Sequence, residues 1–155
     1  NLVVSAVGLW AAKVLWEKYH MPYVIGTPNQ WLVEDISRAL EHTVTQKIDP
    51  VTVYLQNRMQ QEADITLVGE PVTMGSLAAG IEKRYGRAAR VLCPLKECAD
   101  LLGEKDKMVL GEEAMEEALK SAGIIVADPL YRPICPGDSI FYELPHVAFS
   151  GRIYF

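Results

Sequence analysis

The stretch ADITLVGEPVTMGSLAAGIEKRYG, residues 63–86, with RAARVLC at 87–93 directly after it, decides the fold. Residues 65–69 form a short apolar run between Asp64 and Glu70-Pro71, which predicts a buried strand. Pro71 then opens a helix in which Met74, Leu77, Ala78, Ile81 and Tyr85 recur at helical spacing, and Gly86 closes it. Residues 90–93 are the next apolar run. Strand, crossover helix and strand make one unit of a parallel sheet.

The same rhythm runs on toward the C-terminus. Further strands are expected at 108–110, 124–127 and 140–144, with a short helix over 95–102 ending at Gly103. Another helix is expected over 112–121, acidic in its first turns, with Lys120 near its end and Gly123 just after it. The simplest architecture is α/β, a doubly wound parallel sheet of five strands in the order 3-2-1-4-5, counting strands 65–69, 90–93, 108–110, 124–127 and 140–144 as one to five. Ligands of such sheets sit outside the carboxyl ends of the strands, where the winding reverses. The loops Gly69-Glu70-Pro71-Val72-Thr73 and Asp128-Pro129-Leu130-Tyr131-Arg132 are placed there, with the stretch from Leu144 to Arg152 as a third.

Upstream, residues 1–62 read as an α-rich arm. Residues 2–4 suggest a strand; Leu9, Ala12, Trp16 and Tyr19 follow at helical spacing until His20-Met21-Pro22, and 22–25 suggest a second strand. Thr27-Pro28 reads as a helix start, with Leu32, Ile36, Ala39, Leu40 and Thr43 on one face. Asp49-Pro50 repeats the device ahead of Val51, Tyr54, Leu55, Arg58 and Met59. Trp10, Trp16 and Trp31 fall on helical faces as packing residues. The division expected is thus 1–62 and 63–155. The opening Asn1, running straight into an apolar stretch, suggests a piece of a longer chain.

Composition narrows the function classes. The 155 residues are 50% hydrophobic and 23% charged, enough for a sizeable core. Fifteen Lys+Arg against twenty Asp+Glu give a net charge of -5 with no basic block, which argues against nucleic acid. The uncharged stretch 2–12 is far short of the roughly 18 apolar residues that span a bilayer, so no membrane association is expected. Three cysteines and no C-x2-C spacing suggest a reducing, cytoplasmic setting. The Gly69-Glu70-Pro71 turn lacks the second glycine and the N–H that a cradled pyrophosphate needs, and no G-x4-G-K-[ST] occurs.

Cys93, Cys98 and Cys135 suit free thiols better than a cluster loop or a zinc site, and no metal ligand is assigned. Cys135, between Pro133 and Pro136, is the candidate for reactivity. His20 and His42 have no partners at ligand spacing, whereas His146 lies in the third loop beside Ser150, Gly151 and Arg152. Glu70 suits either a helix cap or a group facing a pocket, and Arg132 either an ion pair at the switch point or a surface pair.

Three segments carry a family resemblance. NLVVSAVGLWAAKVLWEKYHMPYVIGTP (1–28), with its E-K-Y-H-M-P-Y, resembles a strand–helix–strand segment of nitrogenase component 1 subunits. ADITLVGEP (63–71) is similar to the first strand and cluster-side loop of that family's last Rossmann-like domain, and LPHVAFSGRIYF (144–155) to its closing strand and aromatic-Ser-Gly loop. The resemblance implies a Rossmann-like domain in an oxidoreductase subunit, inactive by itself. Such a subunit pairs with a homologous one, takes electrons from an ATP-dependent P-loop iron-sulfur reductase, and holds an iron-sulfur or related metal cluster between domains. By position it makes Glu70 and His146 the catalytic candidates, and Gly69, Pro71, Asp128, Tyr131, Arg132, Ser150 and Gly151 the cavity residues. Tyr131 stands about where the dinitrogen enzyme has a cavity-facing lysine, and Pro145 where it has its cofactor-ligating histidine, with His146 one residue later. Those departures, and Gly69-Glu70-Pro71-Val72 in place of a Gly-Gly followed by arginine, argue against dinitrogen reduction on a molybdenum cofactor. The alternative is a non-catalytic cofactor-assembly scaffold or a flavodoxin-like ligand-binding module.

Overall fold

Two parallel sheets share one helix between them in the computed structural model, which describes residues 1–46, 49–56 and 58–145. The first sheet joins β1 (Leu2–Val3), β2 (Val24–Ile25) and β3 (Val51–Thr52) in that order, with Leu2 opposite Val24 and Val24 opposite Val51. The helices α1 (Leu9–Tyr19) and α2 (Val33–Gln46) connect them. The second sheet contains β4 (Ile65–Val68), β5 (Ala89–Cys93), β6 (Lys107–Met108), β7 (Ile124–Ala127) and β8 (Ile140–Glu143), linked through α3 (Pro71–Tyr85) and α4 (Glu112–Leu119). Its order is β6-β5-β4-β7-β8, which is 3-2-1-4-5 when its own five strands are counted from β4; three further strands precede it in the chain and pair in a sheet of their own. All pairings are parallel.

Alternation along the strands assigns the two faces of the second sheet. Ile65, Leu67, Ala89 and Val91 pack with Met74 and Ala78 of α3. Val68, Leu92, Ile125 and Ala127 pack with Met115 and Leu119 of α4. Both faces are covered, as a parallel sheet requires.

The α-rich reading of 1–62 needs correction. Residues 51–52 are a strand and Val53–Leu55 a 3-10 turn, not a helix running to Met59. The β-branched pair Val51-Thr52 satisfies its backbone against β2, while Val53 and Tyr54 turn into the core formed with Val24, Ile36 and Val72. The helix expected from Thr27 begins at Val33, preceded by a turn in which Asn29 Oδ1 accepts from the N–H groups of Trp31 (3.0 Å) and Leu32 (3.1 Å). Thr27 is instead a tether: its N–H donates to Ser76 Oγ at 2.8 Å and its hydroxyl to the Val4 carbonyl at 2.7 Å. Residues 95–102 hold only a 3-10 turn, Ala99–Leu101, because Glu97 takes a left-handed φ of 61°. Trp10 is 77% exposed rather than packed.

Helix α3 is buried on two sides, and small residues make this feasible. A Cβ at Gly75 would stand 2.4 Å from Tyr54 Cε2, and Tyr54 is fully buried, its hydroxyl donating to the Leu101 carbonyl at 2.9 Å. Gly75→Ala is expected to overpack this contact at a cost of about 1–3 kcal/mol, despite the usual helix preference for alanine. Urea denaturation checks it, and an unchanged or higher midpoint would overturn the close approach.

Candidate functional site at the carboxyl edge

Winding reverses between β4 and β7, so the loops following these strands face the crevice such folds use. The buried exit of β4 ends at Gly69, whose φ of 154° is one L side chains rarely adopt and where a Cβ would stand 3.0 Å from Met74 Cγ. Glu70 follows as the cap of α3. Its Oε1 accepts from the N–H of Val72 at 3.1 Å and of Ala6 at 2.6 Å, and its Oε2 from the N–H of Thr73 at 2.7 Å. Of the two roles open for this residue, capping is the one its contacts make; the carboxylate is 4% exposed and its acceptors are engaged by backbone. Pro71 takes the first helical position, where its missing N–H costs nothing.

On the other side of the crevice, Asp128 caps the 3-10 helix Pro129–Ile134, its Oδ1 accepting from Leu130 N–H at 3.0 Å. That turn carries Tyr131, whose phenol is pushed up by burial and by the charges of Asp128 and Cys93. Arg132 points away: it pairs with exposed Glu143 at 3.5 Å and lies 5.5 Å over the Phe141 ring. It is therefore a surface pair rather than a group at the crevice. His146, Ser150 and Gly151 lie outside the described residues.

Two residues the motif analysis set aside belong to this edge. Cys93 ends β5, fully buried, and Cys98 is buried after the turn that follows. Burial pushes the Cys93 thiol up to about 11, with the charges of Cys98 and Glu70 acting in the same direction. Each thiol donates into the turn between them, Cys93 to the Leu95 carbonyl at 3.8 Å and Cys98 to that of Lys96 at 3.2 Å. Position was the usable signal: the loop after the central neighbour of β4 opens on the same edge, and Cys93 is the last residue of that strand. Cys135, singled out for reactivity, donates its thiol to the Tyr131 carbonyl at 3.1 Å and is pushed up by burial, which suppresses the thiolate that reactivity requires.

The edge thus gathers Gly69, Glu70, Pro71, Cys93, Cys98, Asp128 and Tyr131 around the switch point. Chemically it offers a rigid backbone wall, one phenol and a neutral thiol pair. A cavity of about 500 Å³ lies elsewhere, between α2, β3 and α3, floored by Leu32, Val51, Val53 and Ala79 with Arg38 and Lys83 among its polar lining. Among the described residues no helix is long and apolar enough to cross a membrane. No protein-family model, curated protein or solved structure matches the chain.

Proposed function

We propose that this chain is the C-terminal part of a nitrogenase-like oxidoreductase subunit and forms one wall of a metal-cluster or substrate cavity for ATP-linked multi-electron reduction. The observation that carries the reading is the fixed carboxyl edge at the winding reversal, where the loops bearing Gly69-Glu70-Pro71 and Asp128 to Tyr131 adjoin Cys93. These are the positions that the family resemblance makes cavity-facing. Among the described residues no group of three or more His, Cys, Asp or Glu side chains converges on one point, so they do not compose a cluster's ligand set. Their part is to shape and close the cavity, with ligands from the rest of the subunit or its partner. Tyr131, held neutral, donates a hydrogen bond, and His146 is the proton-transfer candidate. A homologous subunit and a P-loop iron-sulfur reductase are the partners in this reading.

A second reading, a cofactor-assembly scaffold or ligand-binding module, is favoured by one feature: the edge carboxylates Glu70 and Asp128 both serve as caps. Anaerobic expression of the complete gene with its neighbours separates the two. Iron and sulfide in the purified protein, with a paramagnetic resonance signal that responds to reductase and ATP, are expected. A folded, metal-free product would overturn the oxidoreductase and leave the module. In the full complex, His146→Ala should lower turnover at constant cluster content; unchanged turnover removes His146 from the site.

A further inference from the structure

The turn that leads into α2 is held close to α3. Asn29 Nδ2 donates to the Ser76 carbonyl at 3.0 Å, a Cβ on Gly80 would stand 3.0 Å from Trp31 Cε3, and the Trp31 and Tyr85 rings meet edge-on with centroids 5.6 Å apart. From that turn onward Leu32, Asp35, Ala39 and His42 recur three and four residues apart, so they share one side of the helix. That side lines the cavity of about 500 Å³ between α2, β3 and α3. The volume is in the range of small-molecule sites, about 300–1,000 Å³. Leu32, Val53 and Ala79, all buried, give it an apolar floor. Ala79 lies about two helical turns along α3 from Pro71, so the cavity is separate from the carboxyl edge.

Charge at this cavity is unbalanced. Asp35 on α2 serves two cations: Lys83 Nζ of α3 at 2.6 Å, across the gap between the helices, and Arg38 Nη1 at 3.6 Å. Glu82, the other carboxylate of the lining, is already occupied by Arg58 at 2.9 Å and Lys105 at 3.1 Å, and Arg58 also reaches Asp106 at 3.4 Å. These ion pairs join four cations to three carboxylates, which leaves one positive charge in excess in a chain of net charge -5. The excess sits on Arg38 and Lys83, whose side chains are exposed, and not on buried Arg58.

We propose that this cavity binds a small amphipathic monoanion, a carboxylate on an aliphatic body of the medium-chain acid type. The body would cover the floor made by Leu32, Val53 and Ala79, and the carboxylate would join Arg38 and Lys83, which Asp35 cannot neutralise together. Asp35 is then a competitor for the same two cations. A dianion such as a phosphate ester is disfavoured, because only one charge is left to balance. The site is independent of the oxidoreductase reading, since it shares no residue with the carboxyl edge.

The test is a titration of the folded full chain with octanoate, followed by two-dimensional amide NMR. Saturable shifts are expected below about 1 mM, centred on Leu32, Ala39, Val53 and Ala79. Octan-1-ol, which has the body without the charge, should bind about tenfold more weakly, and acetate, which has the charge without the body, should not saturate. Lys83→Gln and Arg38→Gln should each weaken octanoate about tenfold. Asp35→Asn should tighten it, a direction that mere damage to the helix would not produce. No saturation with octanoate, equal affinity for octan-1-ol or acetate, shifts centred elsewhere, or weaker binding in Asp35→Asn would each overturn the proposal. The three ligands compared on the wild-type chain decide the matter even where a variant fails to fold.

Discussion

Replacing Arg58 by alanine is expected to destabilise the protein by about 3–5 kcal/mol, the usual cost of leaving a buried charge without its partner. The guanidinium is 7% exposed and makes three contacts: Nε to Glu82 Oε2 at 2.9 Å, Nη1 to Asp106 Oδ2 at 3.4 Å and Nη2 to the Ala89 carbonyl at 2.8 Å. The carboxylates it joins are 3% and 1% exposed. Each also serves the backbone: Glu82 accepts from Ala89 and Met59 N–H, and Asp106 from Val91 and Gly103 N–H. After Arg58→Ala, Glu82 would keep Lys105 at 3.1 Å, but Asp106 would lose its guanidinium inside the protein. Urea denaturation measures the loss, and a change below about 1 kcal/mol, the range of exposed pairs, would overturn this account.

The same cluster predicts a pH dependence. Burial pushes the Glu82 carboxyl up, but the N–H donors of Ala89 and Met59, with Arg58 and Lys105, more than offset it and hold it below its ordinary value of 4.5. A carboxyl depressed by folding contributes stability that is present above its unfolded value and is lost as pH falls through the folded one. Stability should therefore drop as the solution is acidified below about pH 4.5. Glu82→Gln should be less stable at neutral pH and show a shallower acid limb. An acid limb of wild-type steepness in that variant would assign the sensitivity to other carboxyls.

Glu70→Ala is expected to cost about 2–4 kcal/mol, since it removes a helix cap and leaves one buried and two part-buried N–H donors without their acceptor. The donors are those of Ala6, Val72 and Thr73, so one carboxylate both starts α3 and ties the segment after β1 to the loop after β4. Glu70→Gln keeps the volume but offers one carbonyl oxygen in place of two, and should cost about half as much. Denaturation gives the magnitudes, and amide hydrogen exchange gives the location: the amides of Ala6, Val72 and Thr73 should exchange faster in both variants. Wild-type stability in Glu70→Ala would mean that water replaces the carboxylate and that the loop is not fixed by it.

The α/β class, the positions of the strands in 65–143 and the carboxyl-edge loops were legible in the residues themselves. Four-residue runs such as Ile65–Val68, apolar but for Thr66, are local signals, because burial on both faces favours apolar residues at successive positions. In the first sheet β1 and β2 were legible as the short apolar runs at 2–4 and 22–25, but the third strand was not: two residues are too few for a period to show, and Val51-Thr52 becomes a strand only because β2 offers its edge. Nor does any local pattern distinguish Glu70 the cap from Glu70 the pocket residue; the Ala6 N–H, 64 positions away, decides that. What the sequence by itself determined is which segments must be buried, because hydrophobicity is a property of each residue. What only the tertiary structure decided is which polar groups are occupied by partners, because hydrogen bonds such as that of Ala6 to Glu70 depend on distances between residues remote along the chain.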